Sequence, residues 1–438
     1  MRHGKLLQLS FAIAAELVFF AVLNCFDDWT IETMPVKFVE SAFLSGIAYL
    51  VAVSSFEIEL GTRGKAMIFW GVAIALRLMA LPLVPSDDLW RYQWEGKIQS
   101  AGLNPYVIAP DDPKLDEIRQ SFPESHNINR NTRAMYPPGA ELLFAAFNRI
   151  SDRPLFYKFL FAMADLAAVA LLLRLIGGNA RHEAAAWYAW NPLVAYSFAG
   201  AAHFDSLMIL PMLGGIIFLL RSEKTESREK WIGPLLAAIC FGIAISINAV
   251  PVLLLLPCIF ALRLRAIVLA IAVAIPGLLS VPYGFPSVRM WNSIGELNHL
   301  TRLNDLFWWL IEETLWPNPH QMNYRYSVII IGCAIVVSFL FVRNWKRGML
   351  WVLGTALVLS PVFNPWYCTW ILPLATWRRA YAWHVLSVTV FAYYLFWDER
   401  LFQLPWRAEP WMHGLIIVPA LAALVLFVKR KSDLPGSA

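Results

Sequence analysis

Along the chain, apolar residues fall in long continuous runs, not in the alternation of a half-buried strand or the one-in-three spacing of a surface helix. The first runs lie at 6–25, 37–55 and 66–84. Each approaches the ~20 residues that a helix needs to cross a bilayer. After a polar stretch, 85–138, come runs at 139–150, 155–176, 184–199, 204–220, 232–247, 251–262 and 266–282. A second polar stretch, 283–325, precedes runs at 327–342, 349–363, 366–376, 382–397 and 411–428. The pattern predicts an all-α polytopic membrane protein with about 12–14 transmembrane helices and a large outer loop carrying amphipathic helices.

Composition closes other readings. Of 438 residues, 58% are hydrophobic and 15% charged, against roughly 25% charged in ordinary soluble domains. So few charges cannot clothe a soluble surface of this mass. A soluble enzyme, a nucleic-acid binder and a disordered scaffold are excluded. The net charge of +5 matters through its distribution. Lys and Arg gather at Arg63/Lys65, 221–230, Arg263/Arg265, Arg343/Lys346/Arg347, Arg378/Arg379 and 429–431. The positive-inside rule assigns those loops to the cytoplasm. Both termini then fall in the cytoplasm, the protein is integral to the inner (plasma) membrane, and 85–138 lies outside. That loop carries eight Asp/Glu and six Lys/Arg. The run 6–25 contains Glu16 and lacks a small-x-small cleavage site, so it reads as an uncleaved first span.

Parity adds a demand. An outer loop ending at 138 and a cytoplasmic 221–230 need an odd number of crossings, yet four runs lie between them. The run 139–150 is too short to span and is expected to be a half-helix or re-entrant piece. The expected organisation is three N-terminal spans (1–84), an outer catalytic loop (85–138), central spans (139–282), a second outer loop (283–325) and C-terminal spans (326–438). No fixed-period repeat is visible. Within the first loop, Leu115, Ile118 and Phe122 share one helical face, which predicts an amphipathic helix over 113–122 suited to the membrane surface. The cysteines, Cys25, Cys240, Cys258, Cys333 and Cys368, have no disulfide-framework or metal-site spacing.

Chemistry is expected where the third run leaves the bilayer. There stand Ser86, Asp87, Asp88, Trp90, Arg91, Tyr92, Trp94 and Glu95. Adjacent carboxylates at a membrane exit are costly unless hydrated, paired or functional. A carboxylate held there can act as a general base. Ser86 is placed to cap a helix beginning at Asp87. Arg91 is placed to pair with Asp87 or Asp88. The other reading of the same residues is a capped helix start with a surface ion pair and no chemistry.

The segment from Ser86 to Gly96, the Gly102-Leu103-Asn104-Pro105-Tyr106 turn and Tyr136-Pro137-Pro138 resemble the first outer loop of polytopic glycosyltransferases of the C superfamily. The likeness is to bacterial members that take sugars, mannose among them, from polyprenyl phosphates. Trp190-Asn191-Pro192 with His203-Phe204-Asp205 is similar to that family's NP…HxD stretch, and Asn364-Pro365-Trp366-Tyr367 with Trp370 and Pro373 to its late helix. The likeness spans about 85–376.

The resemblance implies an integral membrane hexosyltransferase, with mannose the first choice of sugar. It would transfer from a polyprenyl-phosphate-linked donor to a glycan or glycolipid acceptor on the outer face, by a single inverting displacement. Asp87 or Asp88 would be the base. Arg91, Tyr92, Trp94, Asn104, Tyr106, Tyr136, His203, Asp205, Trp366 and Tyr367 would hold donor or acceptor. No metal and no cofactor is expected, because the leaving group is already a phosphate anion. The partners are donor, acceptor and membrane lipid, with no nucleic acid.

One position departs from the family. Asn248, three residues before Pro251, stands where a Lys is common. Asn can hydrogen-bond a phosphate but cannot neutralise it, so Arg289 and Arg302 become candidate cations.

Plainer roles stay open for many of these residues. Trp, Tyr and Arg at a membrane edge also act as anchors. His203 and Asp205 can be a structural pair, and Arg77 and Asp165, inside apolar runs, can simply pair with each other. A second class, a transporter or lipid flippase, would use helices broken near mid-membrane, and the Asn248–Pro251 break fits it loosely. A third is a polymer ligase using a lipid-diphosphate donor.

Overall fold

A computed structural model describes residues 2–122, 124, 132–224, 231–261, 265–290, 293, 304–315, 324–341, 344–398 and 410–432. It is 78% helical, and the described residues form no strand. The helices are α1 (Arg2–Val22), α2 (Met34–Ser55), α3 (Thr62–Ala80), α4 (Asp87–Ser100), α5 (Asp116–Gln120), α6 (Pro138–Ile150), α7 (Pro154–Ile176), α8 (Arg181–Ala189), α9 (Pro192–Ala195) and α10 (Ser206–Lys224). They continue with α11 (Ile232–Ile247), α12 (Val252–Ala261), α13 (Arg265–Leu279), α14 (Trp308–Thr314), α15 (Tyr324–Leu340), α16 (Trp345–Val358), α17 (Cys368–Arg378), α18 (Ala382–Thr389) and α19 (Pro410–Ser432). Among the described residues, four stretches are long and apolar enough to cross a membrane alone: Gly4–Cys25, Met34–Ser55, Pro154–Ile176 and Ser206–Glu223. Shorter apolar helices follow at Ile232–Ile247, Ile267–Leu279, Tyr326–Leu340, Ala382–Trp397 and Trp411–Leu426. The chain is an all-α polytopic membrane protein.

Asn-Pro pairs explain why some apolar runs are shorter as helices. Proline lacks a backbone donor and disfavours helix at the residue before it. The run 184–199 breaks at Asn191-Pro192 into α8, α9 and a single wide turn, Tyr196–Gly200. Asn191 closes the break by accepting from the backbone N–H of Leu193 (3.0 Å) and Val194 (3.4 Å). Its amide donates to Ser387 at 2.7 Å.

Contacts between helices settle which ends lie together. Ser86, just after α3, meets Ala201: its N–H and Oγ donate to the Ala201 carbonyl at 3.0 and 2.8 Å. At the other end of α3, Lys65 pairs with Glu183. The broken segment 183–201 therefore runs the length of α3. Helix α7 lies beside it, with Lys158 donating to the carbonyls of Leu81 (2.7 Å) and Leu83 (2.6 Å). Between the ends, Arg77 donates through Nε (2.8 Å) and Nη2 (2.7 Å) to Asp165 and through Nη1 to the Ala189 carbonyl, where α8 stops. Tyr188 completes the knot, donating to Asp165 at 2.8 Å. Thus α7, the broken segment and α10 supply three traverses between position 138 and position 224.

The remaining short helix, α6, is the one the parity argument set aside. It packs on α4 and α11, and glycines allow the approach. A Cβ on Gly96 would lie 2.5 Å from the Phe144 carbonyl oxygen, and one on Gly139 would lie 2.6 Å from that of Ser246. The stretch 113–122 is a tight turn, Pro113–Leu115, followed by α5. Its apolar face turns inward: Leu115, Ile118 and Phe122 pack with Trp94 and Ile98 of α4. Those side chains already have an apolar partner, so they do not form a face laid on a membrane.

Candidate functional site

Helix α4 starts at Asp87, with Ser86 extended at its N-cap position. The Ser86 hydroxyl bonds Ala201 instead of capping. This ties the start of α4 to the turn that carries His203. Two acidic residues in the first turn suit the positive end of the helix dipole. Asp88 is 39% exposed and its Oδ2 lies 3.3 Å from His203 Nδ1.

His203 is 1% exposed and stacks on Trp366, with ring centroids 3.8 Å apart and planes 17° apart. Neither of its ring nitrogens has a hydrogen-bond partner of proper geometry among the described residues. The backbone that presents it is strained. Ala202 sits at φ 65, the left-handed region that costs a residue with a Cβ roughly 1–2 kcal/mol. The His203 N–H donates to the Ser197 carbonyl at 2.8 Å, which closes this turn.

Asp205 lies two residues on, buried. Its Oδ1 accepts from Trp370 Nε1 (2.8 Å) and Asn248 Nδ2 (3.1 Å). Burial pushes this carboxyl up, against the pull of His203 and the Trp370 bond; the Asp88 charge adds to the rise. Asn248 sits where α11 ends, and its Oδ1 accepts from Val250 N–H at 3.1 Å. Tyr367 stacks on Trp370 at 4.1 Å, and Trp366 meets Tyr367 edge-on at 5.7 Å. Asp88, His203, Asp205, Asn248, Trp366 and Tyr367 therefore come together from four separate parts of the chain. Trp370 joins them as the donor that holds Asp205.

Aromatic rings floor the Asp88 side of α4. Tyr92 packs against Tyr136 (5.3 Å), Phe144 (4.8 Å) and Phe204 (5.1 Å). Burial, and then the charge of Asp88, hold the Tyr92 and Tyr136 hydroxyls protonated.

Behind them lies a buried polar network. Arg91 Nε pairs with Glu95 at 2.5 Å and Nη2 donates to the Thr132 carbonyl at 2.7 Å. Gln99 donates to Glu141 Oε2 (2.9 Å) and accepts from the Tyr283 hydroxyl (2.7 Å). Glu141 Oε1 is buried with no partner among the described residues. Burial pushes Glu141 well above the usual carboxylate range; the Glu95 charge raises it further, while Arg91 opposes. Asn104 donates to the Tyr283 carbonyl at 3.0 Å, and the Tyr106 hydroxyl to the Tyr136 carbonyl at 2.6 Å. Arg91, Asn104 and Tyr106 thus anchor the loop that delivers Tyr136.

Other expected residues lie elsewhere. Trp94 is 1% exposed and packs with Ile98, Leu115 and Phe122, on the side of α4 away from Asp88. Arg289 is exposed at the end of a short turn, Phe285–Arg289. Arg302 lies outside the described residues. The Gln99–Glu141–Tyr283 network went unnoticed in the sequence. Glu141, a carboxylate inside the apolar run 139–150, was its one visible signal.

Residues 28–265, just over half of the chain, match the family model described as alpha-(1->6)-mannopyranosyltransferase, N-terminal domain. The match includes Asp88, His203, Asp205 and Asn248 and stops before Trp366. No curated protein and no solved structure matches.

Proposed function

The chain belongs to the alpha-(1->6)-mannopyranosyltransferase family, and from that premise we propose that it moves a mannosyl unit from a polyprenyl-phosphate donor to a hydroxyl of a glycan or glycolipid, with Asp88 as the base. One observation carries the choice of base: the Asp88 carboxylate is partly open and lies 3.3 Å from a buried histidine stacked on Trp366. Asp87, its neighbour, falls about 100° around the helix from that face.

The step balances simply. The acceptor hydroxyl gives its proton to the Asp88 carboxylate. The acceptor oxygen forms a bond to the anomeric carbon from one face, and the bond to the phosphate oxygen breaks on the other. The lipid phosphate leaves with the electron pair. One displacement inverts the centre, so an α-linked product requires a β-linked donor. The leaving group is already an anion, so this chemistry needs no metal to form it. His203 orients Asp88, and Trp366 closes the wall behind His203. Asn248 is committed to Asp205, so countercharge for the phosphate falls to other groups; Arg289 and Arg302 are the candidates.

Charge supports an outward-facing site. At the end opposite Asp88, Lys65 pairs with Glu183, and Lys346 with Glu223 at 2.9 Å. Arg63, Arg181, Arg221 and Arg347 are sequence neighbours of those pairs. Positive loops face the cytoplasm, which leaves Asp88 on the outer side of the inner (plasma) membrane.

The test is purified protein with a panel of polyprenyl-phosphate sugars and an α-linked manno-oligosaccharide, scored for released polyprenyl phosphate. The reading predicts release with the mannosyl donor and turnover that persists in chelator. Absence of release with every donor would refute it.

A further inference from the structure

Helix α4 has two working faces. Asp88, Arg91, Tyr92, Glu95 and Gln99 share one, turned to the site and its supporting network. At 100° per residue, Trp90, Gln93 and Lys97 share the opposite face. That second face lines an open cleft of about 250 Å³, completed by Ser121, Asp152 and Arg153. Nothing in the transfer step uses it.

We propose that this cleft is an acceptor subsite, holding one sugar unit of a glycan chain whose growing end lies at Asp88. The inference rests on the transfer reading above and deepens it. Three features of the cleft point to a neutral carbohydrate.

The first is the ring. Trp90 is half-buried and packs on the small core of Trp94, Ile98, Leu115 and Phe122. It lines the cleft with an aromatic surface, the kind that accepts the C–H face of a pyranose, and a Trp body costs little entropy to present. The second is the polar set. Gln93 Nε2 donates to the Asp152 carbonyl at 2.8 Å, which pins the 151–153 turn against α4. Lys97 Nζ stands 3.8 Å from Asp152 Oδ2 and 5.3 Å over the Phe122 ring. Asp152 is 64% exposed and Arg153 is exposed, so both can turn toward sugar hydroxyls. The third is balance of charge. Lys97 and Arg153 are matched by Asp152 and Glu124 in the same lining. A site for a phosphate or an anionic headgroup would carry an excess of cations.

Size and place agree. The volume falls below the ~300–1,000 Å³ of drug-sized pockets, which suits one sugar ring better than a large ligand. Along the helix axis, Lys97 lies about 13 Å beyond Asp88, at 1.5 Å per residue. Trp90, two residues from Asp88, stands about 160° round the helix, so a chain extended at Asp88 would turn past exposed Asp87 at the head of α4 to lay its earlier units in this cleft. A single-sugar acceptor would not.

The test compares a manno-oligosaccharide acceptor with a single-mannose acceptor, using the full chain in lipid nanodiscs. The quantity read is the ratio of kcat/KM for the long acceptor to that for the short one. Direct binding of the oligosaccharide without donor is measured beside it. Trp90→Ala should lower the ratio at least tenfold and weaken oligosaccharide binding by a similar factor, and Trp90→Phe, which keeps a ring, should restore most of both. Arg153→Ala, on an exposed side chain with no packing role, should lower the ratio severalfold. A merely structural Trp90 would depress both acceptors equally and leave the ratio alone. That result, or oligosaccharide binding unchanged in Trp90→Ala and Arg153→Ala, overturns the subsite while the transfer reading stands. Oligosaccharide binding that depends on Trp90 in a protein showing no transfer leaves the subsite standing and overturns the transfer reading.

Discussion

Replacing Trp370 by Phe removes one N–H from the oxygen that Asp205 shares with Asn248. The lost bond is 2.8 Å long and ends on a buried carboxylate. A hydrogen bond to a charged group contributes about 1.5–3 kcal/mol. If that energy positions Asp205 and the His203 turn, it becomes a barrier increase of about ten- to a hundredfold in kcat. The smaller ring also leaves space beside Tyr367, which stacks on Trp370 at 4.1 Å, so the unfolding midpoint should fall as well. A double-mutant cycle with Asp205→Ala, which removes the acceptor that an Asn would keep, separates the two effects. The cavity penalty is common to both backgrounds and cancels, whereas the hydrogen-bond energy appears as coupling. The assay is steady-state release of lipid phosphate, with thermal unfolding of each variant in the same detergent. Near-zero coupling together with a wild-type kcat in Trp370→Phe would refute the positioning role of Asp205.

Three further outcomes follow from the geometry. Glu141 has a raised folded-state pKa, so the folded chain keeps a proton that an unfolded Glu releases near pH ~4.3. The stability tied to that proton is complete below the unfolded value and is lost as pH rises through the folded one. Glu141→Gln keeps an acceptor for Gln99 and fixes neutrality, so its unfolding midpoint should exceed wild type by a margin that widens with pH; a margin flat from pH 5 to 9 would contradict this. Arg77→Ala or Asp165→Ala alone should cost about 3–5 kcal/mol, because each strands a buried charge, while Arg77→Met with Asp165→Leu should recover most of the loss; thermal unfolding of the three variants decides. A lone Cys at exposed Ser121, in a Cys-depleted background, should react with an impermeant maleimide in intact cells; labelling only after lysis would place the loop inside.

Much of this protein is legible from its residues. Run length gives the helical membrane architecture, and parity together with its short length marks 139–150 as the expected non-crossing piece. Local sequence does place Ser86 at the head of a helix that starts at Asp87, but not the bond its hydroxyl makes, which goes to the Ala201 carbonyl. Partners distant in sequence were harder. Helical spacing points Arg91 to Asp87 or Asp88, whereas the structure pairs its guanidinium with Glu95 and lets it donate to the Thr132 carbonyl. Trp94 looks like its neighbours Tyr92 and Trp90 until the position of α5 is known, and α5 buries it. Asn248 is visible as an odd residue at a helix break, but its bond to Asp205 crosses 43 positions and no local pattern encodes it. Trp90 was visible as an aromatic residue at a loop entrance; the cleft beside it exists only once the 151–153 turn docks on α4.

The most direct measurement is the turnover of Asp87→Asn and Asp88→Asn side by side, with donor binding followed independently. Asn keeps the size of Asp and removes its basicity. Loss of a general base costs typically about 10²–10⁴-fold. Asp88 is part-exposed and its loss leaves no buried partner charge, so the variant should fold as wild type. Asp88→Asn should lose activity in that range while still binding donor, and Asp87→Asn should be only impaired. Near-normal release of lipid phosphate by Asp88→Asn would contradict it.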